Sequence, residues 1–431
     1  MEIQIISKEI IKPSAPTPHH LKTYKLSAVD QLAAFAADIP VILFYSPTDE
    51  ISSKNSDYLK KSFAKTLTLF YPFAGRIKDD SSIDCSDDGA TYIEAHVAGN
   101  MSMILQQPDM DVLEQLQSCK PDENVDEPSG KVMLAAQLNY FDCGGIAISV
   151  RIRHRIGDAS SLASFVKCWG AISCGIYDNN AGTVVDCSSL FPPQYFSGMS
   201  LLYSLVPRSP FNISTKRFVF EGPKLAELRG KLCNGPYLKR PTRFEAVCAL
   251  IWGVVGEDSE SKKVNKPATI AVDLRKRMDP PLPPHCIGNI VHLAVANWED
   301  KVVDCNGLAG KIHESISMIN SDYVRQVYAD GSFFSSMRQR MAEMAEDPST
   351  VRGGVIGFSS WCKFRFYEVD FGWGKPVWVG TSLRLQPNWI MLLDTRDGEG
   401  MEVRIALPNE EMVKFEQNPD ILAYASFTPA I

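Results

Sequence analysis

The sequence predicts a mixed α/β (α+β) fold in two parts, on three observations. The first is a handover from strand to helix near residue 150. Ile146, Ile148, Val150 and Ile152 alternate with Ala147, Ser149, Arg151 and Arg153, which is the period-two pattern of a strand. Leu162, Phe165, Val166, Trp169 and Ile172 then recur at helical spacing. The second is a patternless stretch over residues 178–216 that holds four prolines, Pro192, Pro193, Pro207 and Pro210. A structureless run of that length inside a compact protein marks a crossing between domains. The third is size: a chain of 431 residues, 45% of them hydrophobic, outgrows a single core.

In chain order, residues 3–18 read as a short strand followed by an extended run through Pro13, Pro16 and Pro18. Residues 41–45 form a continuous apolar strand of the doubly buried kind. Leu59, Phe63, Leu67 and Phe70 stripe one face of a helix over about residues 55–70, which stops at Pro72 and Gly75. Residues 83–85 and 91–97 read as a hairpin around Asp87-Asp88-Gly89. Residues 120–131 are an acidic surface loop. A strand over 132–140 turns at Asp142-Cys143-Gly144-Gly145 into the strand before His154.

Beyond the crossing come a strand over 217–220, a helix over 223–232 and a helix over 242–254. The last has Thr242 as N-cap and Glu245 three residues on, a capping-box spacing. A strand over 268–274, an irregular proline turn over 280–284 and a predominantly helical region over 306–345 follow. Strands return in the last third.

Composition narrows the function. A net charge of −7, a pI near 5.6 and the lack of a basic run speak against a nucleic-acid groove. No apolar stretch approaches the roughly 18 residues of a membrane span. Met1-Glu2-Ile3-Gln4 does not open a signal peptide, and Phe427-Thr428-Pro429-Ala430-Ile431 is neither a prenylation nor a peroxisomal signal. A cytoplasmic address is expected. Eleven scattered cysteines with no Cys-x-x-Cys read as buried thiols, not a zinc site or disulfide framework.

The chemistry centres on His154-Arg155-Ile156-Gly157-Asp158. Counting by two from Ile146 puts His154 on the apolar face, at the strand's last position. The chain turns at Gly157, and Asp158 begins the next helix as an N-cap. A histidine aimed inward where a strand stops faces a cleft, although a satisfied core histidine would carry the same pattern. His and Asp four apart can also supply two metal ligands on a helix. Gly157 and the preceding strand argue against that helix, no third ligand is evident, and no metal is expected.

A second string is as unusual: Asp370-Phe371-Gly372-Trp373-Gly374-Lys375-Pro376. Its first three residues match the kinase metal-binding triplet, but the kinase Gly-rich and catalytic loops are missing. With His154-x-x-x-Asp158 it resembles the two signature motifs of the plant BAHD acyltransferases, which use acyl-CoA to acylate alcohols and amines. Phe70 to Arg76, Asp142 to Gly145, Asp273-Leu274-Arg275, Gly288-Asn289 and Ser359-Ser360-Trp361-Cys362 are similar to family landmarks in the same order, so the resemblance spans essentially the whole chain. Residues 8–18 and Ser360-Trp361-Cys362 are similar to the branch that acetylates alkaloid alcohols. Arg153 stands where relatives carry a small polar residue, and Ala159 where many carry glycine.

The resemblance implies a two-domain, chloramphenicol-acetyltransferase-like fold, each domain a mixed sheet flanked by helices with a channel between. Residues 1–200 and about 345–378 would form the N-terminal domain, 201–217 the crossover, and the remainder of 218–431 the C-terminal domain. Acyl-CoA and a small-molecule alcohol would be the partners, with acetyl-CoA a co-substrate and no permanently bound cofactor. A monomer is expected, with no nucleic acid and no membrane. The family's catalytic base falls on His154; histidine suits the role because its ordinary pKa lies near 6.5. Asp158 either orients the imidazole, as in a triad, or is a salt-bridged cap paired with Arg275; the family favours the latter. Trp361 either donates to the oxyanion or is a core tryptophan. Ser359 and Ser360 are candidates for the pantetheine arm. Thr242 and Arg243, with Lys239 nearby, are candidates for the CoA phosphates because a helix N-terminus with basic neighbours suits phosphate; a solvated surface fits them equally. Asp370, Phe371, Gly372, Trp373 and Gly374 are a structural turn. A different donor (aromatic or malonyl-CoA), or a non-catalytic binding relative, would preserve the same pattern.

Overall fold

The computed structural model describes residues 2–33, 36–48, 56–117, 132–176, 187–194, 212–257, 264, 266–283, 286–299, 303–329, 331–336, 339 and 354–427. Two large mixed sheets organise it. The first has six strands in the order Ile3–Ile11, Ala90–Val97, Leu134–Phe141, Ile146–Ile152, Ile39–Tyr45 and Trp378–Gly380. The second has seven, in the order Val291–Ala296, Ala268–Asp273, Ile356–Ser360, Trp389–Asp394, Met401–Pro408, Ile213–Phe220 and Ser426–Phe427. Parallel neighbours occur in both, between Ala90–Val97 and Leu134–Phe141 in the first and on either side of Ile356–Ser360 in the second. A three-stranded sheet of Thr23–Lys25, Ser82–Asp84 and Arg76–Asp79 flanks them. Mixed α/β is therefore the fold class.

The Ile39–Tyr45 strand is buried at every position, as its unbroken apolar run implies. One face meets the helices Ser56–Leu69 and Ala159–Ser173 through Phe63, Phe165 and Trp169. The other is covered through Ile42, Phe44, Ala147, Ile104 and Leu113. That second cover explains why Ala147 and Ser149 are buried although they read as a solvent face. Small residues there let the short helices Ser102–Gln106 and Met110–Gln115 lie close to the sheet.

Three sequence readings change. The hairpin over 83–97 does not exist: Ser82–Asp84 pairs with Thr23–Lys25 and Arg76–Asp79, whereas Ala90–Val97 joins the six-stranded sheet. Asp87, at φ 64°, redirects the chain there, and its carboxylate is held by Thr17 and Lys22 instead of facing a hairpin partner. The strand after the crossing starts at Ile213, not 217, because it pairs residue by residue with Met401–Pro408. Within 345–378, the strand Ile356–Ser360 lies in the second sheet, and the return to the first sheet comes only with Trp378–Gly380. The 120–131 loop and most of the 178–216 crossing lie outside the described residues. Among the described residues no helix is long and apolar enough to cross a membrane.

Candidate active site

The alternation that puts His154 at a strand end overruns by two residues. Ladder pairing stops with Ile146–Ile152; Arg153 remains extended and donates its N–H to the Met133 carbonyl at 2.9 Å. His154 then opens a one-turn 3-10 helix, His154–Ile156, closed by the Gly157 N–H on the His154 carbonyl at 3.3 Å. After the early turn Asp158 meets Arg275 and the loop around Gly288, between the Ala268–Asp273 and Val291–Ala296 strands of the second sheet. Gly157 permits the turn: a Cβ there would lie 2.7 Å from the Ser161 Cβ and 2.9 Å from its hydroxyl. The Arg153 guanidinium, one of the sequence's departures, reaches sideways through Nε to the Val132 carbonyl at 3.0 Å.

Asp158 is the N-cap of the Ala159–Ser173 helix and accepts from the Ser161 N–H at 2.9 Å. Its two oxygens also take both arms of Arg275, at 2.8 and 2.9 Å, and the Ile290 N–H at 3.2 Å. Ser161 Oγ donates to the same carboxylate at 3.0 Å. Arg275 also donates to the Cys286 and Gly288 carbonyls at 3.2 and 3.1 Å, to Ser161 Oγ at 3.1 Å and to the exposed Asp273 carboxylate at 3.2 Å. Both side chains are buried. Burial alone would raise the Asp158 pKa, but the Arg275 charge and these hydrogen bonds outweigh it and hold the carboxyl below its ordinary value. Arg275 is held above its own ordinary value, Asp158 overcoming the burial that opposes its charge. With its oxygens turned to these donors, Asp158 joins the helix of the first half to the strand loop of the second.

His154 differs from the buried His292. His292 has Nδ1 2.8 Å from the Tyr328 hydroxyl and Nε2 3.3 Å from that of Tyr323, and burial pushes its pKa down to about 4. It is a satisfied, neutral core residue. His154 is only half-buried, and its Nδ1 is shielded from solvent with no hydrogen-bond partner among the described residues. Its main-chain carbonyl, by contrast, accepts the Asn289 side-chain N–H at 2.6 Å.

The other candidates separate. Ser359 and Ser360 are half-buried at the end of the Ile356–Ser360 strand, and Trp361 follows, buried, with its ring 6.0 Å from Phe366. Its backbone N–H donates to the Leu392 carbonyl at 2.7 Å. Thr242 and Arg243 have prior commitments. Thr242 caps the Arg243–Gly256 helix in a complete capping box with Glu245, whose carboxylate closes that helix end to a second anion. The Arg243 guanidinium binds the Gly398 and Glu399 carbonyls and lies 3.5 Å from Asp394. Lys239 is exposed. Thr242→Ala is accordingly expected to cost about 1 kcal/mol of stability through the lost cap and to leave unchanged the KM for the acyl-CoA that the resemblance implies, as thermal melts and initial rates would show; a raised KM at unchanged melting temperature would make it a phosphate contact.

Asp370 folds its own turn: Oδ1 accepts the N–H groups of Gly372, Trp373 and Gly374 at 2.6, 3.0 and 2.9 Å. Gly372 and Gly374 supply the positive φ this nest requires, 94° and 102°. Phe371 is buried against Trp169 and Tyr45 and stacks on Trp373. A Cβ on Gly170 would approach the Asp370 carbonyl to 2.8 Å. The turn thus braces the Ala159–Ser173 helix twelve residues beyond Asp158, about 18 Å along its axis at 1.5 Å per residue.

Asn289, Ser161 and Asp30 complete the surroundings of His154, and sequence reading assigned none of them a role. The signal was faint: Gly288-Asn289 stood out as a string, but its reach to His154 crosses between the two halves of the molecule.

A family model described as the Transferase family matches residues 1–422. The chain is 45% identical, over the full length of both, to epi-neemfruitin B synthase of Melia azedarach. It is 43% identical, again over both full lengths, to a limonoid 1-O-acetyltransferase of Citrus sinensis. Among solved structures, the crystal structure of vinorine synthase superposes with a TM-score of 0.76 at 32% identity, covering 96% of each chain.

Proposed function

Because the chain belongs to the plant BAHD acyltransferases, the family matched by that Transferase model, we propose that this acyltransferase transfers acetyl from acetyl-CoA to a hydroxyl of a plant terpenoid alcohol of the limonoid class, with His154 as general base. Support for the acceptor class is the 43% identity with the limonoid 1-O-acetyltransferase, against 36% with stemmadenine O-acetyltransferase and 32% with vinorine synthase, so the alkaloid branch suggested by residues 8–18 is the second reading.

The observation that carries the mechanism is the half-buried His154 ring on a turn held at both ends. His154 takes the proton of the acceptor hydroxyl, and the oxygen attacks the thioester carbonyl. The tetrahedral intermediate then collapses, the carbon–sulfur bond breaks, and the proton leaves with the CoA thiol. No serine or cysteine nucleophile is needed, because the thioester is already activated and a ternary complex brings both reactants together. Trp361, with Ser359 and Ser360 at the adjoining strand end, supports the oxyanion and the pantetheine arm in this reading. Asp158 has the supporting role, since its oxygens are committed to Arg275, Ser161 and Ile290. The same commitment removes it as a metal ligand.

The direct test is thiol release from acetyl-CoA with a panel of limonoid and alkaloid alcohols, and with aromatic and malonyl donors in parallel. Turnover of limonoid alcohols with acetyl-CoA is the expected result; turnover of alkaloid alcohols alone would move the acceptor to the second reading, and no thiol release with any pair would favour a binding protein. Activity is also expected to survive chelators, and intact-protein mass spectrometry after acetyl-CoA alone is expected to show no acetyl adduct. An adduct that acceptor then discharges would replace direct transfer by an acyl-enzyme route.

A further inference from the structure

The His154 turn is gripped on its carbonyl side by a chain of buried polar groups that no step of the reaction uses. Asn289, from the loop ahead of the Val291–Ala296 strand, spends both side-chain N–H groups at once. One goes to the His154 carbonyl at 2.6 Å and the other to Asp30 Oδ1 at 2.8 Å. Both neighbours are acceptors, which fixes the orientation of the amide. Asp30 is fully buried and takes the Asn289 backbone N–H on the same oxygen at 2.6 Å. Its other oxygen accepts the Ser27 N–H and hydroxyl, at 2.9 and 2.7 Å. The helix Ala28–Ala33 that carries Asp30 packs on the turn itself. Three segments far apart in sequence therefore converge on one carbonyl, and it belongs to the residue that must meet the reacting hydroxyl.

We infer that Asn289, oriented by Asp30, is a positioning residue that sets the depth and direction of His154. A 3-10 turn of three residues has little hold of its own. Asp158 secures it four residues downstream, and strand pairing ends two residues upstream. The Asn289 amide makes a side-chain contact on the His154 main chain itself. Asp30 accepts from four donors, two of them on Asn289, so it stiffens the Asn289 amide, and the amide in turn stiffens the turn. Because Asn289 lies in the second half of the molecule and His154 in the first, the geometry of the base depends on how the halves meet.

The inference rests on His154 being the base, so His154→Ala is measured beside Asn289→Ala, Asp30→Asn and their double variant, each with kcat and KM for both substrates and a melting temperature. Asn289→Ala is expected to lower kcat by about 10²-fold, the penalty of a misplaced catalytic group, with both KM values within about twofold of wild type. Asp30→Asn, which keeps the shape but turns an acceptor into a donor, is expected to reproduce that split. The double variant should be no worse than the more damaged single, because both act through one contact. If Asn289→Ala folds and keeps near-normal kcat while His154→Ala is inactive, the positioning role is wrong and the base assignment stands. If His154→Ala is active, the base assignment itself fails. Should Asn289→Ala not fold, Asp30→Asn alone decides: normal kcat refutes the inference, and a fall in kcat with KM unchanged sustains it.

Discussion

Replacing His154 with alanine is expected to lower kcat by about 10²–10⁴-fold, the span that a positioned general base contributes, while acetyl-CoA still binds. The expectation follows from where the side chain stands. Its Nδ1 is buried without a partner among the described residues, whereas the buried His292 has both ring nitrogens facing tyrosine hydroxyls. Removing the ring leaves the fold's larger connections untouched, because the Asp158–Arg275 pair and the Asn289 bond to the main-chain carbonyl do not involve it. Melting temperature should therefore change little. The informative measurement is turnover paired with calorimetric binding of CoA. Retention of more than about a tenth of wild-type turnover would remove His154 from the base role, since a base contributes at least about 10²-fold.

Asp158→Asn should act on both stability and turnover, and Arg275→Ala should resemble it. Arg275→Ala leaves the buried Asp158 charge without its partner, which costs about 3–5 kcal/mol; Asp158→Asn leaves Arg275 with only the exposed Asp273 as a charge partner among the described residues, at 3.2 Å. The pair closes the gap between the start of the Ala159–Ser173 helix and the loop around Gly288, so its loss slackens the turn carrying His154. The double variant should be less damaged than the two losses added, because groups in contact couple. Acid should expose the same interaction. The folded-state pKa of Asp158 lies below its unfolded value of roughly 3.9. Its stabilisation is therefore fully present above that value and is lost as pH falls through the folded-state pKa. The melting-temperature gap between wild type and Asp158→Asn should hold above about pH 5 and narrow below about pH 4. A variant with normal stability and no turnover, alongside an unaffected Arg275→Ala, would instead place Asp158 in the chemistry.

Local pattern alone was enough for much of this molecule. The buried run Val41 to Tyr45, the helical stripe of Leu59, Phe63 and Leu67, and the Thr242–Glu245 capping box are set by residues within one or two turns of each other, and each is found in the structure. The two signature strings were likewise legible, because Asp370 makes its nest with its own next four residues and Asp158 caps its own helix. What needed the folded molecule was every relation across long stretches of chain. Strand alternation sees one neighbour in two, so it carried His154 two residues too far; the turn that displaces it answers to Ser161, Arg275 and Gly288, up to 134 residues away. The 83–97 segment looked like a hairpin because turn residues specify a change of direction and not a partner, and its two strands joined different sheets. Thr242 and Arg243 had the composition of an anion site; the capping-box spacing already tied Thr242 to Glu245, but only the fold shows the carbonyls of Gly398 and Glu399 using Arg243. Sequence thus determined which side chains are candidates for acyl transfer. Tertiary structure decided which of them are already committed elsewhere, because a polar group's availability depends on the partners that distant segments bring to it.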